Sequence, residues 1–204
     1  MKKIVVIQVS LILFFSFAFG GLIIFTDVYD DIKLSIVERT CYSCLKLDKI
    51  SALDFTFETV GNKDHPDFVL DNLTKGPVFM AYGSNSCNAC NITDAVLMDV
   101  FDVEFGFNEL VIKESNFDEN IITFFHINVD EHGDEYLYSF NVYDKSNQNA
   151  VPMFVVITLG NNSGVVKPCY ATAYGTLGSS KFERKDFILE MIDLGLENFT
   201  KFSS

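Results

Sequence analysis

Residues 77–90 restrict this chain more than any other stretch. The apolar run Pro77-Val78-Phe79-Met80-Ala81-Tyr82 reads as a buried strand, and Cys87-Asn88-Ala89-Cys90 follows shortly after it. Ile92, Val96, Leu97, Val100 and Phe101 then recur at helical spacing, which predicts a long helix from Cys87 to about Phe105. A strand that feeds a helix through C-x-x-C puts the first sulfur at a helix N-terminus. Unpaired N–H groups and the positive end of the helix dipole favour a thiolate there. The second sulfur is close enough to close a disulfide with it. Such a pair supports thiol–disulfide exchange; a structural disulfide and half of a metal site are the other uses of this spacing.

At 204 residues and 49% hydrophobic, the chain has room for one ordinary domain and an appendage. The appendage is at the start. Ile4 to Phe25 is almost unbroken apolar sequence, long enough as a helix to cross a hydrocarbon core of roughly 30 Å. Lys2 and Lys3 precede it, and Asp27, Asp30 and Asp31 follow it. Cationic flanks stay in the cytoplasm, so the following residues are expected outside. Residues 1–26 therefore read as a membrane anchor or a signal peptide. Ala18 and Gly20 suit a cleavage site, whereas the continuation to Phe25 exceeds the usual signal core of about 7–15 residues and favours the anchor. The body of the protein is then membrane-anchored outside the cytoplasm, or secreted if the segment is cleaved.

The first 25 residues hold two lysines and no acid, so without them the net charge goes from −13 to −15. A body that acidic repels phosphate backbones, which argues against a nucleic-acid partner. No single block of carboxylates stands out, and solubility accounts for the charge. Asn72, Asn91, Asn161 and Asn198 sit in Asn-x-Ser/Thr acceptor sequences, relevant only where exported proteins are glycosylated.

Residues 27–50 form a juxtamembrane connector. Ile32, Ile36, Val37, Cys41, Cys44 and Leu45 fall at helical spacing between charges, predicting a short amphipathic helix. Cys41-Tyr42-Ser43-Cys44 is a second C-x-x-C whose sulfurs would share a helix face. It reads as a structural disulfide, as a second redox pair trading electrons with Cys87 and Cys90, or as half of a zinc site completed by them.

Residues 51–204 carry the domain. A strand is expected over 53–59, and a helix from Asp64-His65-Pro66, with Asp64 as cap, to about Gly76. After the 77–82 strand and the C-x-x-C helix come a strand over 121–130, a short helix over 134–143 and a polar loop, Lys145–Asn149. Strands over 153–159 and 165–171 flank a Gly160–Gly164 turn, and a helix over 182–196 closes the chain. The order β-α-β-α-β-α-β-β-α suits an α/β sandwich of three layers, with a mixed sheet of four or five strands between helices.

That order, with C-x-x-C opening the second helix and Ala150-Val151-Pro152-Met153-Phe154-Val155 entering a late strand, resembles the thioredoxin superfamily over about Ser51–Asn198. His126-Ile127-Asn128-Val129-Asp130 is similar to a strand ending common in that family. The resemblance implies a cis Pro152 lying against the redox pair, and client binding through the main chain of Val151. It implies Cys87 as attacking thiolate and Cys90 as resolving thiol, with no cofactor and no metal. Partners would be protein thiols and disulfides, together with a second redox protein that exchanges electrons with the pair.

Departures from the pattern bear on redox potential and direction. No Trp precedes Cys87, the central dipeptide is Asn88-Ala89, and Lys145–Asn149 reads as an insertion before the proline. Ala81 stands where the family carries a buried carboxylate. His126 is then a candidate acid/base for Cys90, or a strand histidine satisfied by hydrogen bonding. Cys169 is left without a partner, and His65 and His132 read as turn or surface residues. A thioredoxin-like module that binds peptides without catalysis is the competing function, and zinc binding through both C-x-x-C pairs a third.

Overall fold

The structure, a computed structural model, describes residues 53–203 other than Phe107 and Asp118. The segments read above as anchor (1–26) and connector (27–50) lie outside the described residues. Among the described residues, no helix is long and apolar enough to cross a membrane.

Four helices and five strands follow in the order α1 (Asp67–Leu73), β1 (Val78–Gly83), α2 (Asn88–Phe101), β2 (Val111–Phe117), β3 (Asn120–Asn128), α3 (Asp134–Tyr143), β4 (Met153–Asn162), β5 (Val165–Tyr174) and α4 (Lys181–Phe202). The sheet runs β2-β3-β1-β4-β5. β1 pairs parallel with β3 and antiparallel with β4, while β2 and β5 are antiparallel edges. β1 is buried along its whole length, which explains its unbroken apolar run.

Alternation along the strands divides the core between two faces. Phe79, Phe124, Phe154 and Val156 face α2 and α4, meeting Leu97, Phe101, Ile188, Met191 and Ile192. Val78, Met80, Phe125, Ile127 and Val155 face α1 and α3, meeting Val69, Leu73, Phe140 and Tyr143. Helices thus cover both sides, and the expected three-layer arrangement holds.

Three local expectations are corrected. The stretch 53–59 is not a strand but a single bridge, Thr56 to Tyr170, closed by reciprocal N–H to carbonyl bonds of 2.9 Å. On the side of residue 58 the next hydrogen-bonded pair would need an N–H from residue 168, and Pro168 has none, so the ladder cannot extend that way. α1 begins later than expected: Pro66, not Asp64, holds the cap position, and Asp64 instead accepts the Tyr138 hydroxyl at its carbonyl, 3.0 Å. β2 was not foreseen. Its residues alternate between inward (half-buried, with Ser115 buried) and exposed, because one face packs on the core and the other meets solvent.

Helix ends also follow identifiable chemistry. α2 stops at Asp102, in the left-handed region at φ 48°, rather than near Phe105. α4 starts at Ser180, whose hydroxyl accepts the Glu183 N–H at 3.2 Å, while Glu183 reaches back to the Ser179 N–H at 2.8 Å. It runs past residue 196 to Phe202.

Phe124 sits at the centre of an aromatic group, stacked on Phe101 at 4.1 Å between ring centroids and flanked by Phe79 and Phe105. Phe124→Ala is expected to cost about 3–5 kcal/mol in denaturant unfolding. A loss within about 1 kcal/mol would show that this face collapses around the gap instead.

Candidate functional site

The C-x-x-C motif is held at the sheet end by a polar turn. β1 ends at Gly83, and Ser84 to Ser86 lead to Cys87, the N-cap residue of α2. The Cys87 N–H donates to the Ser84 carbonyl at 3.0 Å. The Asn85 N–H donates to Asp130 Oδ2 at 2.8 Å, and its carboxamide donates to Glu131 Oε1 at 2.6 Å. Asn128, the last residue of β3 and fully buried, donates to Asn85 Oδ1 at 2.8 Å and accepts the Asp130 N–H at 3.0 Å. The turn before the cysteines is therefore fixed to β3 as well as to β1.

Cys87 and Cys90 are joined in a disulfide, with Cα atoms 5.3 Å apart. The Cys90 N–H, one of the orphan donors of the first helical turn, points at Cys87 Sγ from 3.1 Å. No acidic side chain occupies that first turn, so the sulfur alone receives the positive helix end. Both cysteines are buried, Cys87 at 6% exposure and Cys90 at 1%, so Cys87 is the less enclosed of the two. Cys90 lies inward: a methyl group at Gly83 would sit 3.4 Å from its Sγ.

Val151 packs against the group formed by Cys87, Ala89, Cys90 and Ile92. The Val151–Pro152 peptide bond is cis, and the Pro152 carbonyl accepts the Gly175 N–H at 2.9 Å. The structure thus brings Cys87, Cys90 and the Val151–Pro152 segment together.

His126 lies one layer below. It sits beside Ala81 in the β1–β3 register and points to the α2 face, stacked on Phe105 with centroids 4.1 Å apart. Its Nδ1 is 3.1 Å from the Glu109 carbonyl, so this nitrogen carries the hydrogen. Its Nε2 faces Asp94 Oδ1 at 3.4 Å, within ion-pair distance but without hydrogen-bond alignment. Both side chains are buried. Two acceptors facing each other would repel, so the contact is attractive only with a proton between them.

Asp94 was missed in the sequence. Cys90, Asp94, Leu97 and Phe101 form one buried stripe of α2, and an acid at an apolar position of that stripe was the available signal. Asp94 thus sets a buried carboxylate beside His126 from the helix rather than from the strand.

The other chemistry-bearing residues lie elsewhere. Cys41 and Cys44 are outside the described residues. Cys169 is buried in β5, opposite Thr158 and against Gly160, and burial pushes its thiol up to about 11. His65 meets the Tyr143 hydroxyl at 2.9 Å, and burial lowers its pKa; His132 accepts the Asn128 N–H at 2.9 Å. Neither joins the cysteines.

A mixed α/β sheet with a disulfide-bonded pair at C-x-x-C spacing fits a thioredoxin-like fold and is compatible with oxidoreductase activity. No protein-family profile matches the sequence, and no curated protein is detectably similar to it.

His126→Ala or Asp94→Ala each leaves one buried polar group facing nothing, a loss of about 1–3 kcal/mol. The double variant is expected to lose less than the sum, with a coupling of about 0.5–3 kcal/mol in urea unfolding; strict additivity would mean the two side chains do not interact. The raised thiol of Cys169 is neutral at about pH 7 and inert until its pKa is approached. Iodoacetamide should therefore label Cys169 only after unfolding, which peptide mapping reads directly.

Proposed function

We propose that the chain is a thiol:disulfide oxidoreductase of the thioredoxin superfamily that acts on protein disulfides outside the cytoplasm. The observation that carries this reading is the position of Cys87: it caps α2, receives the Cys90 N–H on its sulfur and is the less buried of the pair. An N–H at a helix start stabilises negative charge on that sulfur, so the leaving and attacking group is the one a client reaches.

The exchange balances in two steps. In the dithiol form, the Cys87 thiolate attacks a client disulfide; a Cys87–client bond forms and one client thiolate leaves. The Cys90 thiolate then attacks Cys87 Sγ, forming the Cys87–Cys90 bond and releasing the second client sulfur. Two electrons have passed to the client, and the proton of Cys90 must go elsewhere. The His126–Asp94 pair, one helical turn below Cys90, is the buried group placed to take it: in the dithiol form Nε2 and the carboxylate face each other without a proton, and the one that Cys90 gives up is then shared between them. Running backwards, the same steps deliver a disulfide to a dithiol client, and the partner that reoxidises or reduces the pair sets the direction.

The Val151–Pro152 segment supplies the client's seat, through main-chain pairing with an extended segment beside Cys87. The N-terminal apolar stretch with its lysine-before, aspartate-after flanks supports export, with residues 1–26 as anchor or signal and 27–50 as the connector carrying Cys41 and Cys44.

Cys90→Ser removes the resolving sulfur and should accumulate mixed disulfides through Cys87 when the protein is mixed with client disulfides. These adducts are visible as reductant-sensitive bands that Cys87→Ser abolishes. A Cys90→Ser protein that forms no adducts argues against exchange. A Cys87/Cys90→Ser protein that keeps full function in its host would favour the peptide-binding module.

A further inference from the structure

The loop between α3 and the cis proline is built around two buried groups. Asp144, 3% exposed, accepts three donors: the Tyr174 hydroxyl at 2.7 Å and the Gln148 N–H at 3.0 Å on Oδ1, and the Asn149 N–H at 2.8 Å on Oδ2. The Tyr174 oxygen in turn accepts the Ser146 N–H at 3.1 Å. The Asp144 carbonyl accepts the Asn147 N–H at 2.8 Å. Asn147 and Asn149 take positive φ, 50° and 48°, a conformation asparagine tolerates better than most residues.

Surface loops of exposed polar residues are ordinarily the most mobile part of a domain. Lys145, Ser146, Asn147 and Asn149 are exposed, yet the main chain of this loop is held from inside at four successive N–H groups. Tyr174 stands opposite Met153 in the β4–β5 register, and the next residue, Gly175, holds the Pro152 carbonyl. The end of β5 therefore anchors the chain on both sides of Ala150 and Val151. Within the described residues, no hydrogen bond engages the main chain of those two residues. Their N–H and carbonyl groups are left to pair with an incoming chain, beside the sulfurs that Val151 touches.

We propose that Asp144 and Tyr174 are positioning residues for polypeptide clients: they lock residues 145–149 so that Ala150 and Val151 present a rigid pairing edge to an extended, disulfide-bearing segment. This rests on the exchange function proposed above and deepens it. A small disulfide needs only Cys87, whereas a polypeptide needs the edge as well. Pre-ordering that edge removes a cost otherwise met when the client binds.

Tyr174→Phe deletes one oxygen and keeps the ring; Asp144→Asn keeps the size and sets an amide donor among N–H donors. Reduced full-length protein is assayed with insulin and with hydroxyethyl disulfide, alongside amide hydrogen exchange. In the unaltered protein the Ser146, Gln148 and Asn149 amides are expected to exchange slowly. In Tyr174→Phe the Ser146 amide should speed up at least tenfold, with KM for insulin rising about 3–10-fold, and kcat and the hydroxyethyl disulfide rate staying within twofold. Asp144→Asn should do the same at Gln148 and Asn149.

Equal slowing on both disulfides, or no change in KM for insulin, overturns the positioning role and leaves the exchange function standing. Unprotected Ser146, Gln148 and Asn149 amides in the unaltered protein overturn it too, whatever the variants' folding. An unaltered protein that turns over neither disulfide sinks the exchange function and the positioning role together.

Discussion

Everything at the site depends on how the first turn of α2 seats against the end of β1. On the face of β1 that meets α2, the side chains shrink along the strand: Phe79, then Ala81, then Gly83. The taper lets the helix start come close, so Cys90 Sγ lies directly over Gly83. It also leaves room beside Ala81 for an imidazole and a carboxylate that a larger strand residue would displace. Deeper in, Phe79, Phe101 and Phe124 fill the space that the small residues leave open at the rim.

Two polar arrangements follow from that seat, one reaching the surface and one buried, and they differ in kind. Around Asn85, Asn128 and Asp130, donors and acceptors are matched within hydrogen-bond distance, which fixes the turn before Cys87. Between Asp94 and His126 the contact is looser, and a buried pair of this sort is strongly sensitive to whether a proton is present. A rigid turn lies on one side of the two sulfurs and a buried imidazole–carboxylate contact on the other, an arrangement compatible with exchange.

Much of the architecture was legible because it rests on periodicity. β1 and the core of β3 are apolar on both parities, and α2 shows its stripe plainly, so these elements were found with nearly the right ends. What escaped had no strong local signal. β2 is an edge strand, Val-Ile-Lys-Glu-Ser-Asn-Phe, whose polar residues suit its open side. The 53–59 stretch alternates well enough for a strand, but Pro168, over a hundred residues away, removes the donor that would extend its bridge toward residue 58. At the site, Cys87, Cys90 and the Val151–Pro152 segment were readable from motif and order. Asp94 and the Asp144–Tyr174 anchor were not, because their significance comes from groups that only tertiary folding sets beside them.

The central claim is that the Cys87–Cys90 bond opens and closes in exchange with other thiols. The most direct measurement equilibrates the purified protein in glutathione buffers of stepped ratio and reads the redox state of the Cys87–Cys90 peptide by mass. A single reversible two-electron transition between about −270 and −120 mV is expected, the span of catalytic dithiols. A pair that stays oxidised through every buffer, with a potential below about −300 mV, would be a structural crosslink and would contradict it.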